Sequence, residues 1–165
     1  MGSIAESVQT ADELKVLIDE GMNKKEIRLH YHLQGMIELK KKNYSQAIEY
    51  FREANLLLSY PGDLIPFTND QAAFTESLAL AYYGAGDLDK AQKEFEKIAG
   101  FSTGILYYGH IYARSLYMLG RIFEARGWKE KARGSFQIFL DLWKDADPGL
   151  AEIADAKKRL ASLGK

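Results

Sequence analysis

The chain has 165 residues, 47% of them hydrophobic, with 22 basic and 23 acidic residues and no cysteine. That length suits one domain with a continuous apolar core. The near-neutral charge argues against a nucleic-acid partner, which calls for a basic excess or stripe. The absence of cysteine excludes disulfides, thiolate catalysis and zinc–thiolate sites.

Residues 1–9 read as a tail. Met1-Gly2-Ser3 has the composition of a cloning remnant, which would put the native start and any signal before it out of view. Thr10-Ala11-Asp12-Glu13 has the capping-box pattern and predicts a helix over about 11–20, with Leu14, Leu17 and Ile18 on one side and Gly21 as the stop. Residues 1–22 are thus a tail and an N-terminal capping helix.

Two helices follow over about 24–42 and 44–58, turning at Asn43. Lys24-Lys25-Arg28 and Lys40-Lys41-Lys42 read as solvated helix ends. Asn43-Tyr44-Ser45 matches a glycosylation acceptor but sits in an inter-helix turn. Tyr60-Pro61-Gly62-Asp63 and Pro66 make 59–68 a loop. A helix over about 69–84, capped from Thr68 or Asn69, leads through Gly84-Ala85-Gly86 to another over 88–99. After an insertion near 100–108, a helix over about 109–126, with a start as early as Gly104 left open, pairs with one over 128–144. Asp147-Pro148 reads as an N-cap and first helical residue. The last helix, 148–163, places Leu150, Ile153, Ala154 and Leu160 on the side that should cover Trp143 and the end of the stack. No apolar run reaches the ~20 residues of a membrane span. No basic start followed by an apolar block marks a secretory signal, so a cytoplasmic location is expected.

One device recurs along these helices. Leu119-Gly120-x-x-Phe123 is followed by Ala132-x-x-x-Phe136. Ala47-x-x-x-Phe51 follows Gly35, and Ala91-x-x-x-Phe95 follows Ala79, by the same interval. A small residue on the first helix lets the second cross close to it, and aromatics fill the space beside the crossing. With this pattern the chain resembles a tetratricopeptide repeat protein over about residues 24–145, as three repeats at 24–58, 69–99 and 109–145. Ala47 to Ala91 is 44 residues and Ala91 to Ala132 is 41, against a period of about 34, which locates insertions at 59–68 and 100–108. The family's leading Trp is replaced by Tyr31, Thr75 and Leu116. Its Gly-Tyr pair becomes Gly35/Glu38 and Ala79/Tyr82, and its closing proline is missing.

The resemblance implies an all-α, right-handed α-solenoid of three helix pairs, with an N-terminal helix and a C-terminal capping helix at 148–163. The end of the chain is similar to stand-alone bacterial repeat proteins and to repeat regions of multidomain bacterial regulators. The resemblance further implies a protein or peptide held in a concave groove lined by the first helices. The corresponding groove positions are His32, Met36, Glu76, Leu80, Tyr83, Tyr117, Met118 and Arg121. Tyr and Arg make strong interface anchors and Met adapts to varied shapes. The plainer reading of Tyr83 and Met118, and to a lesser degree of Tyr117 and Arg121, is packing between helices. A member class that clamps acidic chaperone C-termini uses Lys, Asn and Arg. The matching residues here are His32, Met36, Ser77, Arg114 and Met118, of which only Arg114 suits a carboxylate, so that specificity does not carry over.

No assembled catalytic or metal constellation is visible, and neither an enzyme nor a cofactor is expected. His30 and His32, two apart, point to different faces of a helix, and His110 is isolated. Asp145-Ala146-Asp147 lacks the third oxygen ligand of a calcium loop, with Gly149 in its place. Gly84-Ala85-Gly86 lacks the Lys-Ser/Thr and the strand of a phosphate loop. Two functional readings remain: an interaction scaffold for a protein or peptide, and a structural module that self-associates as a homodimer through the same surfaces or the 100–108 insertion. Neither a membrane nor a nucleic acid is expected as partner.

Overall fold

The computed structural model describes residues 3–21, 23–58, 69–100, 104–145 and 149–164. Among the described residues every regular element is helical: α1 (Ile4–Glu20), a short 3-10 turn (Lys24–Glu26), α2 (Ile27–Lys40), α3 (Tyr44–Leu56), α4 (Asn69–Gly84), α5 (Leu88–Ala99), α6 (Gly104–Ala125), α7 (Lys129–Leu142) and α8 (Ala151–Leu163). The chain divides into two compact units, Met1–Ala91 and Gln92–Lys165. In the first, α1 packs on α2, α2 on α3, and α3 on α4, with α2 also touching α4. In the second, α6 packs on α7 and α7 on α8.

The turns carry the repeat. Lys42 (φ 64), Gly86 (φ 81) and Gly127 (φ 72) occupy the left-handed region between α2 and α3, α4 and α5, and α6 and α7. The next amide reaches back five residues each time: Asn43 N–H to Glu38 O at 2.9 Å, Asp87 N–H to Tyr82 O at 3.0 Å, and Trp128 N–H to Phe123 O at 2.8 Å. This closure satisfies carbonyls left open at a helix C-terminus. Each second helix then begins on the carbonyl of that same residue: the amides of Ala47, Ala91 and Ala132 donate to Asn43, Asp87 and Trp128, each at 3.0 Å. A lysine in the left-handed region costs roughly 1 kcal/mol where glycine costs nothing. Its presence at 42 shows that the turn is imposed by the helices it joins. The fold is an all-α helical repeat.

The recurring alanines and phenylalanines are the core. Ala47, Phe51, Ala91, Phe95, Ala132 and Phe136 are completely buried. The glycines act differently from the sequence expectation. A methyl built on Gly120 would lie 2.6 Å from the Phe136 ring, and one on Gly35 would lie 2.5 Å from the Phe51 ring. The missing side chain leaves room for an aromatic ring, so it is ring against backbone, and not backbone against alanine, that sets the crossing. In the first unit, Ala54, Leu58 and Phe74 continue this core, with Tyr31 and Ala73 packed against it.

Two boundaries differ from expectation, those of α1 and α8, and α6 takes the earlier of the two starts left open. The helix α1 begins at Ile4, inside the expected tail. Ser3 and Glu6 form the capping box, with Glu6 N–H donating to Ser3 Oγ at 3.2 Å and Ser3 N–H to Glu6 Oε2 at 2.7 Å. Nothing between Ser3 and Thr10 breaks a helix, so the earlier of two similar motifs wins. The Thr10 hydroxyl instead donates to Glu6 O within the helix. The helix α6 begins at Gly104, with a non-helical step at Tyr108 (φ −145°, ψ 45°). A methyl at Gly104 would strike the rings of Tyr108 and Tyr112, so this glycine too makes way for aromatics. Described helix α8 begins at Ala151 after Leu150. The expected 59–68 loop, the Thr68 cap and the Asp147-Pro148 cap lie outside the described residues, as do 101–103 of the second insertion.

Candidate functional site

The face shared by α2 and α4 is built around His32. Its ring stacks on Phe74, with centroids 4.0 Å apart and planes 3° from parallel, and tilts against Phe51 at 5.4 Å. Its Nε2 is 2.9 Å from Ser77 Oγ. The Ser77 hydroxyl donates to Ala73 O at 3.0 Å and lies 3.7 Å from Met36 Sδ. A hydroxyl has one proton to give; with that proton on Ala73 O, Nε2–H is the donor and His32 is the neutral Nε2–H tautomer. Burial pushes its pKa down to about 4.

A histidine that titrates near 6.5 when unfolded and near 4 when folded costs nothing above pH 6.5. As pH falls from 6.5 toward 4 the unfolded chain takes up a proton that the folded chain refuses, and stability declines by at most about 3 kcal/mol. The melting temperature should fall between pH 6.5 and 5, above the range where carboxylates titrate, and His32→Phe should flatten that slope. Parallel decline of parent and variant would show that His32 is not held neutral.

The other expected positions on this face divide by accessibility. Met36 is 46% exposed. Leu80 and Tyr83 are half-buried, whereas Glu76 is buried. His30 is buried too and serves packing: its Nδ1 is 2.9 Å from Ala11 O, tying α2 to α1.

In the second unit the structure brings Tyr117 and Arg121 together, covering Tyr117 and leaving Arg121 half-buried. Tyr117 is 6% exposed. Its ring packs against Phe139 and Phe136 at centroid distances of 5.3 and 6.1 Å. Its hydroxyl donates to Asp155 Oδ2 on α8 at 2.8 Å. Arg121 lies over the same ring at 5.7 Å, and Met118 is buried. Arg159 Nε donates to Asp155 at 2.6 Å, and the same guanidinium bonds Glu124. Burial, then the bond to Asp155, pushes the Tyr117 hydroxyl up to about 12. The Arg159 guanidinium holds the Asp155 carboxyl below its usual range. These contacts make Tyr117 a seat for α8, so in the free chain Tyr117 and Met118 offer a partner little surface. Sequence reading missed Asp155, Arg159 and Glu124. The i,i+4 spacing of Asp155 and Arg159 is a visible signal of an ion pair, but nothing local points to Tyr117 or Glu124 as its cross-helix partners.

Among the described residues, no group of three His, Asp or Glu side chains could hold a metal. Nor is any helix long and apolar enough to cross a membrane.

The family model described as Tetratricopeptide repeat matches residues 31–57, which run from within α2 through α3. No curated protein matches the chain. Repeats of this family generally mediate protein–protein interactions and are typically non-catalytic. The matched segment contains Gly35, Ala47 and Phe51, the same small-residue and phenylalanine device that recurs at Gly120, Ala132 and Phe136. The match over residues 31–57, together with the recurrence of the device, supports a tetratricopeptide repeat protein.

Proposed function

We propose that the chain is an interaction scaffold that holds a peptide or protein segment on the face formed by α2 and α4. The observation that carries this reading is Met36, a large apolar side chain left 46% exposed beside the His32–Ser77 pair that joins the two helices. Leu80 and Tyr83 extend the face along α4. A thioether on a rigid two-helix floor suits an apolar side chain of a bound segment, because Met repacks around varied shapes. His32, fixed by stacking and hydrogen bonding, positions that floor. Catalysis has no place in this reading.

A second reading, self-association, is favoured by one observation. On the first turn of α6, Leu106 is 82% exposed and Ile105 is also exposed. The two readings separate in one experiment. Met36→Glu should change the melting temperature little, since about half of the side chain already faces water, and should abolish partner capture from the source cell. Leu106→Glu should leave capture intact. Capture that survives Met36→Glu and sedimentation that shifts with Leu106→Glu would replace the first reading with the second.

A further inference from the structure

The outer side of α7 carries a second surface that the α2–α4 reading does not use. At the α6–α7 turn, Trp128 is 41% exposed. Its ring leans on Phe123 at a centroid distance of 5.8 Å. Lys131 Nζ lies 4.7 Å and the Arg126 guanidinium 5.1 Å from the Trp128 ring centre. Between 126 and 133 the chain places four cations, Arg126, Lys129, Lys131 and Arg133, against one carboxylate, Glu130. Among the described residues, Lys129, Lys131 and Arg133 have no ion-pair partner.

Further along the same helix, Ile138 and Leu142 are 48% and 37% exposed. Trp128, Lys131, Ile138 and Leu142, spaced by three- and four-residue steps through the buried Ser135, lie along one flank of the helix over about four turns, roughly 20 Å, beside the buried Ala132, Phe136 and Phe139. A ridge with this alternation takes the knobs of a second helix running alongside it. Charge fixes what that helix must carry. The Trp128 end is cationic, and the N-terminal dipole of α7 adds to it. At the other end the exposed carboxylates of Asp141 and Asp145 outnumber the one exposed cation between them, Lys144. Those two carboxylates would repel a uniformly anionic partner such as a bilayer of acidic lipid or a nucleic acid strand.

We infer that this side of α7 docks an amphipathic helix of a partner protein, with apolar residues at alternating three- and four-residue spacing and carboxylates at the end that meets the α6–α7 turn.

The test uses the full chain and a synthetic three-heptad helical peptide, with Leu at the seam, Glu in its first turns and Lys in its last. A second peptide has the Glu and Lys residues exchanged. Calorimetric titration should show binding of the first peptide that weakens as salt is raised. Lys131→Glu and Ile138→Glu, both at exposed positions, should each reduce affinity by about tenfold or more. Met36→Glu should leave it unchanged, which separates this surface from the α2–α4 face. Failure of the first peptide to bind, equal affinity for the exchanged peptide, or insensitivity to Lys131→Glu and Ile138→Glu would overturn the proposal. So would binding to phosphatidylserine vesicles or to a single-stranded oligonucleotide that Lys131→Glu abolishes. A concentration-dependent dimer removed by Ile138→Glu would assign the surface to a second copy of the chain instead.

Discussion

Gly120→Leu should destabilise the second unit by about 3 kcal/mol or more. Two effects oppose each other. Leucine is a better helix former than glycine by under about 1 kcal/mol. Against that, its first carbon alone would stand 2.6 Å from the Phe136 ring, and three more carbons follow. Phe136 is completely buried and cannot swing away without opening the α6–α7 crossing. Overpacking of this kind costs roughly 1–3 kcal/mol and more where the neighbour cannot yield. The melting temperature should drop by roughly 6–12 °C. A variant melting with the parent would mean that the ring is not where the structure puts it.

Tyr117→Ala combined with Arg121→Glu is the second large effect. The repeat register alone, which assigns both residues to a peptide groove, leads to a folded variant that has lost its partner. Packing leads to a different result. Removing a buried aromatic costs about 3–5 kcal/mol, and Asp155 loses the hydroxyl that helps hold α8. The variant should therefore melt earlier by on the order of 10 °C. Tyr117→Phe keeps the ring and gives up only the bond to Asp155, for about 1.5–3 kcal/mol. Thermal melts of both, followed by circular dichroism, check the order. A double variant as stable as the parent would return Tyr117 to the binding face.

These two residues mark what a sequence of this kind discloses. The spacing of Gly120, Ala132 and Phe136 is local, and a helix turns spacing into geometry, so the crossing and its three-fold recurrence can be read directly. What fills the space at Gly120 depends on which way the Phe136 ring turns, and spacing is silent on that. Tyr117 is harder still. Its environment is set by Asp155, 38 residues away, on a helix whose landing place no local pattern encodes. The expected start of α1 falls too late because it rests on the Thr10–Glu13 capping box alone, while the Ser3–Glu6 box, with no helix breaker between the two, starts the helix. The cation run at Arg126–Arg133 is plain in the sequence. That Trp128 stays in the open beside it, and does not fold beneath Phe123, is a property of the turn at Gly127. On the α2–α4 face, Met36 was legible as a first-helix position, while its pairing with Ser77 depended on how two helices 41 residues apart lie together.

The repeating device is the central claim, and a double-mutant cycle of Gly120→Ala with Phe136→Leu tests it most directly, with Gly134→Ala as the reference. Gly134 lies on α7 with nothing within 4 Å of an added methyl, so its replacement should stabilise the chain by about 0.5–1 kcal/mol. Gly120→Ala, the same chemical change, should destabilise it. In the presence of Phe136→Leu the ring is gone, and Gly120→Ala should lose most of its cost, a coupling of about 1 kcal/mol or more. Additive effects, or a Gly120→Ala variant that gains stability as Gly134→Ala does, would contradict the account.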